Sequence, residues 1–200
     1  MTWWIAVEDL VLPKQLAGHP ALELVNTRSG WSEKYRPEQE YLATLDHLCV
    51  LGRLNGLIDD ERAERIRRQS AGNHREADRA VVRARQLRAL LREVLVGEPS
   101  ATDRGQLAAA VKEARSRQKL CIGTSGARWD FHGRPALSEP LDAFLISAGD
   151  LLIARPRIGI CPGQGCGWLF VNSSGRRRWC QMKVCGNRAK QAAHLARSRS

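Results

Sequence analysis

Cys161-Pro-Gly-Gln-Gly-Cys166 and Cys180-Gln-Met-Lys-Val-Cys185, joined by Gly167-Trp-Leu-Phe-Val-Asn-Ser-Ser-Gly-Arg-Arg-Arg-Trp179, decide how this chain is read. Each cysteine pair encloses four residues, and thirteen residues separate the pairs. Zinc takes four soft ligands in a tetrahedron, and two tight loops that each present a pair of thiolates supply them. Four protein ligands leave no open coordination position, so the expectation is one structural Zn2+ ion held by Cys161, Cys166, Cys180 and Cys185. The competing chemistry, two disulfides or a thiol switch, does not suit a reducing cytosol. Gly163, Gly165 and Gly167 permit the first loop. Trp168-Leu-Phe-Val171 reads as a short strand, with Trp179 packed on it. So small a module has little other core, and the metal then supplies most of its stability, on the order of 10 kcal/mol.

Working outward, the charge is uneven. The chain of 200 residues carries a formal net charge of +11. Residues 151–200 contain ten Lys/Arg and no Asp or Glu, while residues 1–150 are close to neutral. A neutral region followed by a purely basic one is the asymmetry of a polyanion binder. Downstream of Cys185, helical spacing puts Ala189, Ala192, Ala193 and Ala196 on one face, a small-residue face able to lie close to the module. Asn187, Lys190, Gln191, His194 and Arg197 share another face, with Arg188 at its edge. These are the side chains that read DNA: Arg and Lys for phosphate and guanine, Asn and Gln for adenine. Arg176, Arg177 and Arg178, fixed by a metal loop, suit a phosphate track, and Lys183 adds to it. An ordinary solvated C-terminal helix is the plain alternative.

The run Cys-x4-Cys-Gly-Trp-Leu-Phe-Val followed by Arg-Arg-Trp-Cys-x-Met-x-x-Cys-Gly-Asn-Arg-x-Lys resembles the bacterial CGNR zinc-finger family over residues 158–197, with the signature at Cys185, Gly186, Asn187 and Arg188. Asn172 stands where the family is expected to have aspartate. Leu22-Glu-Leu-Val-Asn26-Thr27 resembles the start of the ABATE domain, the usual partner of that finger. The resemblance implies a stress-responsive transcription regulator in which a helical sensory domain over residues 1–155 is joined to a DNA-binding finger over residues 156–200.

The rest of the chain reads as mainly α. Proline is tolerated in a first turn, so Gly18-His19-Pro20 opens a short helix. Ser29 to Pro37 is a loop. Apolar residues at helical spacing predict helices over 38–51, 59–70, 74–96, 103–117 and 139–154. Two apolar runs around Gly123-Thr-Ser-Gly126 predict one β-hairpin over 119–132. The expected fold is a helical N-terminal domain with one hairpin, then a small four-cysteine module ending in a helix. Cys49 and Cys121 read as buried thiols. Trp3, Trp4 and Trp129 read as core or dimer-contact residues.

Asn26, Thr27 and Arg28 close an apolar helix beside Trp31 and Tyr35. They are candidate ligand-binding residues, or else they tie that helix to its neighbours. No nucleophile–base pair, phosphate loop or carboxylate cluster supports catalysis. No segment is long and apolar enough to span a bilayer, and the N-terminus lacks the basic start of a signal peptide. The expected protein is cytoplasmic and nucleoid-associated. Its expected partners are double-stranded DNA, a second copy in a homodimer and a small-molecule effector, but no membrane. The alternatives are an RNA binder with Trp168 or Trp179 exposed for base stacking, and a protein-interaction module built on zinc.

Overall fold

The computed structural model describes residues 2–124 and 126–198. In chain order it holds β1 (Trp4–Val7), β2 (Leu10–Pro13), α1 (Pro20–Val25), α2 (Leu45–Leu54), α3 (Asp60–Ala71), α4 (His74–Val96), α5 (Ala101–Ser116), β3 (Gln118–Gly123), β4 (Gly126–Phe131), α6 (Glu139–Ala154), β5 (Ile158–Ile160), β6 (Leu169–Val171) and α7 (Asn187–Arg197). The fold is mainly α. The strands pair as three antiparallel hairpins, β1–β2, β3–β4 and β5–β6. Of the expected turn Gly123 to Gly126, Ser125 lies outside the described residues, as does Arg199 among the basic residues of the last quarter.

The chain folds into two compact units that do not follow sequence order. The first takes Met1–Tyr41 with Arg155–Ser200, and the second is Leu42–Ala154. The second unit is the helical body. Asp59 starts α3 by accepting from the Arg62 amide at 2.7 Å. Ser100 starts α5 two residues earlier than the periodicity predicts, because it and Asp103 cap each other. α4 and α6 have the expected bounds. α6 is the central element, buried from Glu139 to Ala148 and again at Leu151. Its Phe144 sits among the fully buried side chains with Leu48, Ile66, Leu91 and Leu107. Gly52, one residue past the end of the helix expected over 38–51, lies inside α2, where a Cβ would stand 3.3 Å from Ile58. Cys49 is buried, and burial pushes its thiol up to about 12. Cys121 is only half-buried: in the two-stranded β3–β4 hairpin it has one covered face at most. Trp129 of β4 is 51% exposed, and so is not a core residue of its unit.

The helix expected over 38–51 begins only at Leu45. Residues 38–41 are held back by pairing with the chain just before them. The Ser29 amide donates to the Gln39 carbonyl at 2.9 Å, and the Tyr41 amide donates to the Thr27 carbonyl at 2.8 Å.

In the first unit β5 and β6 are extended from outside. The Val171 amide donates to the Ala17 carbonyl at 2.7 Å. Asn26, at the end of α1, grips the strand with both ends of its amide. Its Nδ2 donates to the Leu169 carbonyl and its Oδ1 accepts from the Leu169 amide, each at 2.9 Å. Asn26 is 1% exposed. The Thr27 hydroxyl donates to the Leu24 carbonyl, and the Arg28 carbonyl accepts from Trp168 Nε1. The Arg28 guanidinium lies over the rings of Trp31 and Tyr35. Of the two readings given for these residues, the contacts support the tie: Asn26 and the Arg28 carbonyl join α1 to β6 and its flank, and the Thr27 hydroxyl bonds back within α1.

Glu23 on the same helix is 3% exposed and accepts from the Ala17 amide at 2.6 Å. Burial pushes its carboxyl up to about 7, against the backbone amides of Ala17, Leu16 and Gly18 and the nearby Arg177 charge.

Two outcomes are expected. Asn26→Ala leaves a buried amide and a buried carbonyl unmatched, a loss of about 2–4 kcal/mol, visible as a lower Tm. The folded-state pKa of Glu23 lies above its unfolded value of 4.5. Its stabilising protonation is complete below about pH 4.5 and is lost as the pH rises through about 7. Glu23→Gln should therefore raise Tm more at pH 8 than at pH 5. Equal shifts at the two pH values would contradict the assignment.

Candidate metal centre and nucleic-acid interface

The first cysteine loop hangs from the end of β5. The Cys161 amide donates to the Trp168 carbonyl at 2.8 Å, and the Cys166 amide turns back to the Gly163 carbonyl at 3.0 Å. Gly165 and Gly167 have φ of +66° and +70°, which a side chain would strain. At Gly167 a Cβ would also come within 3.1 Å of Trp31. The second loop is a π-helical turn over Met182–Gly186, in which the Gln181 carbonyl accepts from the amides of Val184, Cys185 and Gly186. α7 follows directly.

These loops bring all four Sγ atoms within 4.8 Å of one another, each in a buried residue. Zinc–sulfur bonds of about 2.3 Å at tetrahedral angles place sulfurs about 3.8 Å apart. The Cys166–Cys180 and Cys180–Cys185 Sγ separations are both 3.6 Å, far beyond a disulfide. Hydrogen bonds from Cys166, Cys180 and Cys185 pull the Cys161 thiol well down, while the contact with Cys161 pushes Cys166 up. Four buried thiols this close together fit a cation that replaces their protons. The four donors fit one structural zinc ion.

The core around the cysteines is completed by the N-terminal segment. Trp168 and Phe170 are buried among the cysteines. Trp3, Leu16, Trp31 and Tyr41 pack on them together with Trp179. Trp3 Nε1 donates to the Tyr41 hydroxyl at 2.9 Å. The module is thus not the near-coreless body that its own residues suggest. Trp3 takes the packing role expected of it, whereas Trp4 is 41% exposed. The concentration of aromatics before residue 42, which includes both tyrosines, was the available signal.

The three consecutive arginines are not equivalent. Arg176 and Arg178 are exposed, with Arg178 over the Trp179 ring at 5.1 Å. Arg177 turns inward. Its Nη2 donates to the carbonyls of Leu16 and Cys180, both at 2.6 Å, its Nε donates to the Trp179 carbonyl at 3.2 Å, and its plane covers Phe170 at 4.3 Å. Its Nε and Nη2 are therefore engaged inside the unit as a brace, unlike the exposed side chains of Arg176 and Arg178.

Asn172 orders the arginine turn by donating from Nδ2 to the Arg177 carbonyl and accepting at Oδ1 from the Arg177 amide. A carboxylate could do only the second. α7 has no buried residue, so its alanine face does not lie on the module as expected; only Ala189 is half-covered. Lys183, Asn187, Arg188, Lys190, Gln191, His194 and Arg197 are all exposed. The Arg188 guanidinium lies over Trp3 at 4.3 Å, and Asn187 Nδ2 donates to the Lys183 carbonyl at 3.3 Å.

Residues 157–198 match the CGNR zinc finger family. Residues 18–155 match the ABATE family, whose description is "Putative stress-induced transcription regulator". The chain belongs to the ABATE family. Together the two matches describe a zinc-binding regulator, and neither describes an enzyme. A comparison with curated proteins finds no match. Among the described residues no helix is long and apolar enough to cross a membrane. The ABATE match begins at residue 18, so α1 and the segment to Tyr41 fall within it while belonging to the same compact unit as the zinc finger.

Arg177→Ala should lower Tm by removing three carbonyl contacts, at a cost of about 2–4 kcal/mol, whereas Arg176→Ala should stay within about 0.5 kcal/mol of the parent. Thermal unfolding of the zinc-loaded proteins checks both. Equal effects would contradict the distinction.

Proposed function

We propose that this chain is a zinc-dependent, DNA-binding transcription regulator of the bacterial cytoplasm, associated with the nucleoid. Residues 156–200 bind double-stranded DNA, and residues 1–155 sense a ligand or stress signal or mediate dimerisation. The observation that carries the reading is α7. It starts at Asn187, directly after Gly186 of the second cysteine turn, has no buried residue, and carries Asn187, Lys190, Gln191, His194 and Arg197 with no acidic residue among them. A helix that enters the major groove must be free on the side it offers, must project amide and cationic side chains, and must be held at a fixed angle. Arg176, Arg178, Lys183 and Arg188 supply phosphate contacts around it, which set register without reading sequence.

The RNA alternative loses one of its two stacking platforms, because Trp168 is 1% exposed and its Nε1 is already bonded.

The test is duplex binding over a salt series. Replacing Arg176 and Arg178 by alanine should weaken binding to every sequence and reduce the salt slope by about two. Asn187→Ala should cost about 1–3 kcal/mol at the selected sequence and little on random DNA. If the folded, zinc-loaded variants bind like the parent, the interface lies elsewhere.

A further inference from the structure

Beside the first turn of α7 the zinc-bearing unit contains a cavity of about 880 Å³, within the range of sites for small organic molecules. Its walls are unlike a nucleic-acid surface. Trp3, Tyr41 and Trp179 supply aromatic faces and edges. Glu33 and Glu38 stand against Arg36 and Arg188, with Cys185 of the zinc set also in the lining, and two carboxylates at this point would repel phosphate. Arg36 already pairs with Glu33 at 3.2 Å, and the buried Gln39 accepts from the Arg36 amide at 3.1 Å, so the polar wall is held in place. Gln164 adds an amide from the first cysteine loop, and Ala189 and Ala192 of α7 complete the lining with methyl groups that leave the space open. Aromatic walls favour a flat ligand. Carboxylates that outnumber the one arginine left when Arg188 moves, together with amides, favour one that is polar and carries no negative charge.

We propose that this cavity is an effector site for a planar, polar, heteroaromatic small molecule without negative charge, and that its occupant competes with Arg188 for the face of Trp3. The Arg188 guanidinium lies on that face at 4.3 Å. A ligand that stacks on Trp3 takes its place and frees Arg188 for DNA phosphate. The coupling rests on the DNA-binding reading above; the ligand site does not. A surface cation–π contact is worth a factor of about 2 to 5 in an equilibrium, which sets the expected gain in duplex affinity. Linkage requires the duplex to tighten the ligand by the same factor.

The experiment uses full-length, zinc-loaded protein and a set of neutral heteroaromatic fragments, with adenine, indole and nicotinamide as named probes. Binding is read by saturation-transfer NMR and tryptophan fluorescence, first without DNA. At least one probe should bind saturably, and Trp3→Ala should weaken it about tenfold or more. Because Trp3 also packs on the cysteine core, Ala192→Trp is the second variant. It fills the cavity from an exposed helix position and should abolish probe binding while zinc content and Tm are retained. No binding by any probe at millimolar concentration, or binding unaffected by Ala192→Trp, overturns the site.

With a duplex present, the bound probe should raise duplex affinity about 2- to 5-fold, and the gain should vanish in Arg188→Ala. Competition between probe and duplex, or no change, overturns the coupling. Absence of duplex binding by the parent protein overturns the DNA reading instead, and the fragment result then decides the site alone.

Discussion

Four thiol groups in one dry pocket cannot all ionise without a cation, and a cation cannot hold them unless their loops are already bent toward each other. The first compact unit is organised around that constraint. Gly165 and Gly167 take backbone conformations that place Cys166, and the Gln181 carbonyl collects three amides to place Cys185. β5 and β6 run into and out of the first loop, and their hydrogen bonds fix where Cys161 begins. A closed set of thiolates supplies folding energy rather than reactivity.

The metal is not alone in holding this unit. Residues 2–41 add apolar and polar contacts to the finger: Trp3, Leu16, Trp31 and Tyr41 on the cysteine core, Asn26 on β6, and a backbone acceptor from Leu16 for Arg177. Arg177 bridges the N-terminal segment and the carbonyls that precede the second loop, so a change in either segment reaches the other through one guanidinium. α7 is the exception. Eleven residues without buried contacts are marginal as a free helix. Its direction is set only at its first turn, through the π-helical turn that carries Cys185. The part of the unit with the most freedom is therefore the part most directly governed by the metal.

What was legible in the sequence was local. The cysteine spacing predicted the metal set, and hydrophobic periodicity predicted α3 to α6 within about two residues, because helices bury stripes whose spacing is written along the chain. The β3–β4 hairpin was legible from two apolar runs around glycines. The β1–β2 hairpin was not, since its strands are four residues each and only Leu12 and Pro13 of them are buried. The role of Asn26 could be stated only as a choice between ligand and tie, because its partner Leu169 lies 143 residues away. The same holds for Arg177 and Leu16, 161 residues apart. Three adjacent arginines look alike in sequence; Asn172 and Phe170 make the middle one different.

Under the proposed function, zinc acts on DNA binding by fixing the origin of α7. The most direct measurement is a zinc titration of metal-free protein in which bound metal and affinity for one duplex are followed in the same sample. The account predicts that binding rises in step with occupancy, saturates at one zinc per chain, and falls again when a chelator removes the metal. Full duplex affinity in the metal-free protein, or full zinc loading with no duplex binding at low salt, would contradict it.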